Sequence, residues 1–245
     1  DHKWGNFPGV SAGWTISNEE WMEGTRSWLD NLKLRASFGI TGVIPGSSYM
    51  SLLRYDYDTS YGNFVDASGK WSPSLTPISN ANPDLRWEKS TEYNIGLDMG
   101  FFGNRLYANI DLYNKVTSDM LWEYSVPVPP NLYGYTTANV GSMSNQGIEV
   151  LIGGTPVQTK NFEWNSTLTL AHNRNKLLSM SNDLYETEDY LDGGWTEEPT
   201  SMVTQRTYIG DAIGTFYMLK SVGVVPDGPK KGLWLIEDPA TREAV

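Results

Sequence analysis

Hydrophobic and polar residues alternate along most of the chain. Between Asn31 and Thr41 the even-numbered positions are apolar and the odd-numbered positions are polar or glycine. A period of two places the apolar side chains on one side of an extended strand. The same alternation runs from Thr91 to Gly103 and again from Leu106 to Tyr113, and a tight Gly103-Asn104 turn separates the two runs. This spacing predicts an antiparallel hairpin.

A second hairpin is predicted further along the chain. Its first arm contains Ile148–Ile152 and its second arm contains Phe162–Leu170, again with apolar and polar positions in alternation. Weaker alternation predicts one more strand in Asn6–Ile16 and one or two in Arg206–Val225. A short helix is possible in Asn18–Leu29. The pattern therefore predicts an all-β chain.

The lengths of the strands and of their connections bear on the kind of sheet. Clean alternating runs reach about 9–12 residues, which is the length of a tilted strand that crosses a bilayer, whereas strands of soluble proteins centre on about 5–6 residues. Two connections are short, but three are long and rich in Tyr, Trp, Asn, Asp and Pro, namely Val43–Arg86, Val116–Ala138 and Asn173–Thr204. Alternating short turns and long loops are typical of outer-membrane barrels.

Two architectures satisfy the alternation. In a membrane barrel the apolar face meets lipid and the polar face lines an enclosed lumen, whereas in a soluble β-sandwich the apolar face is a buried core. If the chain were a soluble sandwich, its function would be that of a carbohydrate-binding module or a jelly-roll glycoside hydrolase. In the barrel interpretation, aromatic residues near strand ends are expected at headgroup depth. These residues are Trp14, Tyr113, Phe162 and Trp164.

Composition excludes several classes of chemistry. The 245 residues contain no Cys and two His, so thiolate zinc sites, disulfide scaffolds and imidazole metal centres are not expected. A net charge of −11 argues against the basic surface that nucleic-acid binding requires. An apolar run long enough for a transmembrane helix is also missing from the sequence. We therefore expect no metal and no cofactor. His172 has no serine elbow or second triad partner in the sequence, so we also expect no enzyme activity.

Several ordered motifs carry a resemblance to a known family. They extend over about residues 4–225. In chain order they are Trp4–Trp14, Leu32–Gly42, Asn82–Lys89, Asn94–Asp98, Asp111–Lys115, Asn139–Glu149, Asn173–Leu177 and Gly210–Tyr217. Together they resemble the barrel of SusC/RagA-type TonB-linked outer-membrane transporters.

The resemblance implies a large transmembrane β-barrel of about 22 antiparallel strands. It also implies import of oligosaccharides, or sometimes peptides, powered through TonB and assisted by a SusD-like lipoprotein over the outer mouth. About seven to ten strands can be counted in this sequence. Residues 1–245 are accordingly expected to be a partial barrel segment in the outer membrane, with the plug domain and TonB box outside this segment.

The resemblance further orients the strands and suggests where a substrate binds. It implies that Phe102–Arg105 lies at the periplasmic rim and that Val43–Arg86 lies outside the cell. Tyrosine and tryptophan rings in the outer loops suit the flat faces of sugars and also suit peptides. The candidate substrate contacts are Tyr55, Tyr57, Tyr61, Trp71, Trp122, Tyr124, Tyr133, Tyr135 and Trp195. Packing against other loops or against the lipoprotein is the alternative role for these rings.

One acidic loop raises the question of catalysis or calcium binding. Glu186, Glu188, Asp189 and Asp192 crowd one stretch of the chain. The stretch has no strand spacing that would fix the separation of two carboxyl groups, as glycoside hydrolysis requires. We therefore expect an ordinary solvated loop at this position.

Overall fold

The computed structural model describes residues 4–44, 46–181, 189–198 and 200–237, and of residues 58–62 it describes the backbone alone. These residues form twelve strands and two short 3-10 helices, Ile16–Asn18 and Glu20–Thr25. The strands are β1 Gly9–Thr15, β2 Leu29–Val43, β3 Arg54–Val65, β4 Trp71–Ser79, β5 Glu88–Phe101, β6 Leu106–Ser125, β7 Tyr135–Gln158, β8 Glu163–Ser179, β9 Tyr190–Trp195, β10 Val203–Tyr208, β11 Ser221–Val224 and β12 Trp234–Ile236. Among the described residues, no helix is long and apolar enough to cross a membrane.

Six strands form one antiparallel sheet in the order β1-β2-β5-β6-β7-β8. The remaining strands form three two-stranded sheets, β3-β4, β9-β10 and β11-β12. Strands β1 to β8 belong to one compact unit, residues 1–187, and β9 to β12 belong to another, residues 188–245. The predicted all-β class and both predicted hairpins, β5-β6 and β7-β8, are confirmed.

The strand register places the apolar positions of all six strands on one face of the large sheet. One row across the sheet consists of Trp14, Leu34, Leu97, Ile110, Val150 and Leu170, each opposite the next. The adjacent row runs through Ala36, Ile95, Leu112 and Ile148. Ile95 is 56% exposed and Leu112 is 51% exposed. A β-sandwich core would bury these side chains, so the sandwich alternative does not describe this sheet.

Aromatic rings border the apolar face at both ends. At the end of the sheet that carries the short turns, Trp28 stacks on Phe101 with ring centroids 6.1 Å apart. The centroids of Phe101 and Phe102 are 6.4 Å apart. Nearer the long connections, Phe38 and Tyr93 form a cross-strand pair with centroids 5.0 Å apart. Aromatic borders of this kind are typical of strands that cross a bilayer.

The four aromatic residues that were expected at headgroup depth are not all on the apolar face. Trp164 lies opposite Val157 at the short-turn end of this face, as expected. Trp14 lies on the same face, but its row passes through Leu34 and Leu97, midway between the aromatic borders, so the expected depth is wrong for Trp14. Tyr113 pairs with Asn94 and Gly147, so its side chain lies on the polar face and the expectation for this residue is wrong. The error arose because the ring of Tyr113 is amphipathic and therefore occurs on the polar face of a strand as well as at a membrane border.

All three predicted long connections contain regular structure, and Asn173–Thr204 includes the end of β8, the whole of β9 and the start of β10. Val43–Arg86 contains the β3-β4 hairpin, and Val116–Ala138 contains the ends of β6 and β7. In β6 the register shifts on both sides of Met120, and Asp119 has a φ of 58°. These irregularities interrupt the alternation of apolar and polar residues in β6. The sequence pattern therefore ends before Met120, although the strand continues to Ser125.

The buried core is small and lies where β6, β7 and β8 end near the long connections. Tyr124, Ala138 and Val140 form its buried cluster. Leu177 and Met180 are also buried. This core holds together the end of the sheet from which the long connections emerge.

Candidate functional site

Three of the predicted contact residues lie on one face of the β3-β4 hairpin. Tyr55 pairs with Pro77, Tyr57 pairs with Leu75, and Trp71 lies on the same side of β4 as both proline and leucine. Tyr57 is 65% exposed and Trp71 is 69% exposed. The hairpin therefore presents a ridge of open aromatic rings, which we call the aromatic ridge and define as Tyr55, Tyr57 and Trp71. The side chain of Tyr61 lies outside the described residues.

The turn of this hairpin is organised by one carboxylate. Asp66 Oδ1 accepts hydrogen bonds from the backbone N–H groups of Ser68 and Lys70, at 2.8 and 3.0 Å, and from the Ser68 hydroxyl at 2.6 Å. The Ser68 hydroxyl, followed by the Lys70 N–H, holds the pKa of Asp66 below its usual value. The ionised carboxylate fixes the turn that leads directly into Trp71.

The hairpin is tied to the β6-β7 connection by an asparagine. Asn80 Nδ2 donates to the carbonyls of Tyr133 and Tyr135, at 2.7 and 2.9 Å, and Asn80 Oδ1 accepts from the N–H groups of Leu132 and Tyr133. These bonds satisfy backbone groups that have no strand partner. They also place the loop tyrosines next to the end of β4.

Two further asparagines extend this connection. Asn82 Nδ2 donates to the Thr137 carbonyl at 2.8 Å. Asn139 accepts from Arg86 N–H and donates to the Arg86 carbonyl, both at 2.8 Å, and it also donates to the Asp119 carbonyl at 2.7 Å. We call Asn80, Asn82 and Asn139 the asparagine clamp. The sequence prediction missed its role because asparagine is common in loops and its partners are distant in sequence.

The remaining predicted contact residues differ in exposure. Tyr133 and Tyr135 form a ring pair with centroids 6.0 Å apart. Trp122 is partly exposed near the end of β6. Tyr124 is only 4% exposed, and its hydroxyl donates to the Met180 carbonyl. Tyr124 therefore belongs to the small core rather than to an open surface.

Trp195 belongs to the second unit, which contains a different kind of cluster. The Arg206 guanidinium forms two hydrogen bonds to Asp192, at 2.6 and 2.8 Å, and lies over the rings of Tyr190 and Tyr217. Asp192 is thus engaged in an ion pair. Glu186 and Glu188 lie outside the described residues. No group of three or more metal-ligating side chains occurs in the described part of the chain.

The polar face of the large sheet carries a charged network in its middle. Arg35 donates to both carboxylate oxygens of Asp98, at 2.8 and 2.9 Å, and to Asp111 at 3.1 Å. Asn109 donates to Asp98 at 2.7 Å. Gly96 lies between these groups, and a Cβ there would come within 2.6 Å of Arg35 Nη2 and Asp111 Oδ1. The missing side chain makes room for the ion pairs.

Two tyrosine rings on the polar face lie over glycines of the next strand. Tyr113 lies opposite Gly147, where an added Cβ would come within 2.7 Å of its hydroxyl oxygen. Tyr107 lies opposite Gly153 in the same way. Each tyrosine ring packs against the glycine backbone of the neighbouring strand. This packing covers the exposed backbone and stabilises the sheet.

Comparison with known proteins gives consistent matches over nearly the whole chain. Residues 1–225 match the family described as "TonB dependent receptor-like, beta-barrel". A TonB-dependent receptor of Formosa agariphila is 34% identical over 223 residues, which cover 90% of this chain and 19% of that protein. The TonB-dependent receptor SusC of Bacteroides thetaiotaomicron is 31% identical over 224 residues, covering 91% and 22%. The chain thus spans about a fifth of the length of these relatives.

Solved structures give the same result. The RagAB peptide transporter aligns with a TM-score of 0.72 and 26% identity, covering 98% of this chain and 24% of the matched chain. The RagAB peptide importer in its closed-closed state aligns with a TM-score of 0.71 and 27% identity, with the same coverage.

Proposed function

The chain belongs to the TonB-dependent receptor-like β-barrel family, and from this premise we propose that it forms part of the barrel wall of an outer-membrane transporter for oligosaccharides or peptides. The observation that carries the proposal is the exposed apolar face that continues across six strands. The opposite face holds Arg35, Asp98 and Asp111, which suit a hydrated lumen. A sheet with these two faces fits a wall between lipid and water.

The dimensions of the apolar face support this role. Tyr93 and Phe101 mark its aromatic borders on β5. The eight residue steps between them correspond to about 27 Å of strand. A tilt of about 40° reduces this length to a height of about 21 Å, close to the apolar band of about 25 Å in outer-membrane barrels. Strand β5 is therefore long enough for one bilayer crossing.

The aromatic ridge is the proposed surface for the solute. Aromatic rings stack on the C–H faces of sugars and pack against peptide side chains, and such sites require rings that are open and held in place. Tyr57 and Trp71 are open, and the Asp66 turn and Asn80 restrain the two ends of the hairpin. Tyr133, Tyr135, Trp122 and Trp195 are secondary candidates, and Tyr124 is assigned to packing.

Partners and substrate class complete the proposal. RagAB is named as a peptide importer, which supports a peptide substrate, whereas the resemblance to SusC-type barrels supports a glycan. A SusD-like lipoprotein is the proposed partner above the long connections, and TonB the proposed source of energy for uptake. Both classes of substrate are polar, extended molecules that suit the polar face.

Cell fractionation of the full-length transporter tests the proposal. We expect it to sediment with outer membranes, to require detergent for extraction and to migrate faster on gels before heating than after. Uptake of labelled oligosaccharides and of labelled peptides, measured with and without an intact tonB gene, then separates the two substrate classes. Recovery as a detergent-free soluble protein would exclude the barrel function.

A further inference from the structure

A notch interrupts the apolar face close to the short turns. It has a volume of about 430 Å³, within the range of small-molecule sites. Leu106, Gly154 and Ser166 form one row across β6, β7 and β8, and Ile152 and Leu168 belong to the next row. Because glycine and serine replace larger residues in the first row, a gap opens between exposed leucine and isoleucine side chains.

Arg105 lies at the rim of this notch. It is the last residue of the β5-β6 turn, and its backbone carbonyl accepts a hydrogen bond from Thr155 N–H at 2.8 Å. Its Nη2 makes long contacts, 3.4 and 3.5 Å, with the carbonyls of Thr155 and Pro156. Among the described residues Arg105 has no carboxylate partner within ion-pair distance, so most of its five N–H donors are available to an anion.

An irregularity of β7 brings these groups together. The register shifts between Gly154 and Val157, which inserts an extra residue at the position of Thr155 and Pro156. The bulge directs the two carbonyls toward the Arg105 guanidinium. Gly154 is also in close contact with the Arg105 backbone, where a Cβ would not fit. The β7 bulge thus places both the notch and the Arg105 guanidinium at the same point of the sheet.

We propose that this notch binds one glycerophospholipid of the inner leaflet, with an acyl chain along Leu106, Ile152 and Leu168 and the phosphate at Arg105. The inference rests on the proposed barrel function. The short turns of outer-membrane barrels lie on the periplasmic side, and Phe101, Phe102 and Trp164 mark headgroup depth at this end of the sheet. An apolar gap immediately below a guanidinium that has no carboxylate partner among the described residues matches, at that depth, the order of groups in a phospholipid.

The test uses native mass spectrometry of the full-length transporter, delipidated and then exposed to dioleoyl phosphatidylglycerol in detergent micelles. We expect the wild-type protein to retain one lipid per barrel. Arg105→Gln is expected to lower this retention about 5-fold or more, and Ser166→Trp, which fills the notch, to abolish it. Lys160→Gln is the matched control, because Lys160 is an exposed cation at the same end of the sheet but does not line the notch.

Equal losses in Arg105→Gln and Lys160→Gln would overturn the proposal, because they would indicate attraction to charge in general. Retention of the lipid by Ser166→Trp would overturn it as well. Gel mobility before and after heating checks that each variant is a folded barrel. Membrane fractionation and substrate uptake are measured on the same samples, so failure of the lipid site is distinguishable from failure of the transport function.

Discussion

Asn139 pairs with the backbone of Arg86 as a neighbouring strand would. Its amide oxygen accepts from Arg86 N–H and its amide nitrogen donates to the Arg86 carbonyl, each at 2.8 Å. Asn139 is buried and both hydrogen bonds are part-buried, so its amide gives the two Arg86 backbone groups a partner within the protein. This pair joins the segment before β5 to the start of β7 and anchors the base of the long connections.

Replacing Asn139 with alanine should destabilise this end of the sheet. The change leaves the Arg86 N–H and carbonyl and the Asp119 carbonyl without their partner, at an expected total cost of about 3 kcal/mol. The measurement is the temperature at which the full-length barrel loses its heat-sensitive gel mobility. Asn165→Ala, which alters an exposed residue near the short turns, should change it little. Equal effects of the two substitutions would contradict the assigned role of Asn139.

Gly96→Ala should disturb the charged network on the polar face. The new Cβ would meet Arg35 Nη2 and Asp111 Oδ1 at 2.6 Å, so an ion pair must shift, at a cost of about 1–3 kcal/mol. Gly39→Ala is the control, because nothing lies within 4 Å of a Cβ at that position. Assembly yield and urea resistance are compared for the two variants. Similar yields and similar resistance would show that the network tolerates displacement.

The two faces of β5 should respond oppositely to a charge. Ile95→Lys introduces a cation on the apolar face, two residues from the Tyr93 border, and should cost about 1–3 kcal/mol at this depth of a bilayer. Asn94→Lys introduces the same cation one residue away, on the polar face, and should be tolerated. The readout is the amount of folded barrel in outer-membrane fractions. If Asn94→Lys were the more damaging change, the assignment of the faces would be reversed.

The aromatic ridge should contribute to solute affinity. Tyr57→Ala and Trp71→Ala are each expected to weaken binding about 2- to 12-fold, since one aromatic contact contributes about 0.5–1.5 kcal/mol. Phe64→Ala serves as control: Phe64 is exposed on the opposite face of the same hairpin. Calorimetric titration of the full-length transporter provides the affinities. Unchanged affinity in both ridge variants would assign these rings to packing.

The Asp66 turn should be sensitive to acid. Because hydrogen bonds from Ser68 and Lys70 lower the pKa of Asp66 in the folded state, the turn is stabilised at pH above the ordinary value of 3.8, and this stabilisation is lost as the pH falls through the lower folded pKa. Fluorine NMR of 5-fluorotryptophan at Trp71 can follow the transition. In Asp66→Asn the signal should no longer titrate in this range. A titration that persists in the variant would implicate another group.

The sequence was informative where one local rule operates along a strand. Alternation between Asn31 and Thr41 is sufficient to predict β2 and its two faces, but not its pairing with β1 and β5. The continuation of β6 past Val116 was not predictable, because the bulge near Met120 removes the alternation. The roles of Asn82 and Asn139 were also hidden, because their hydrogen-bond partners Thr137 and Arg86 lie more than fifty residues away.

The candidate site was predictable in part for a related reason. Exposed aromatic rings in a long connection could be recognised from composition alone, and Tyr57 and Trp71 are indeed open. Composition did not distinguish them from Tyr124, which occupies the core, because burial depends on which strands meet around a ring. The distinction required the register of β6 and β7.

The rings of Tyr107 and Tyr113 also affect the bore of the channel that this wall would enclose. Tyr107 packs against Gly153 and Tyr113 packs against Gly147, so both rings lie close to the sheet. A larger residue at Gly147 or Gly153 would push the phenol upright and narrow the cross-section available to a passing molecule. Gly147 and Gly153 would then help to set the internal diameter of the channel.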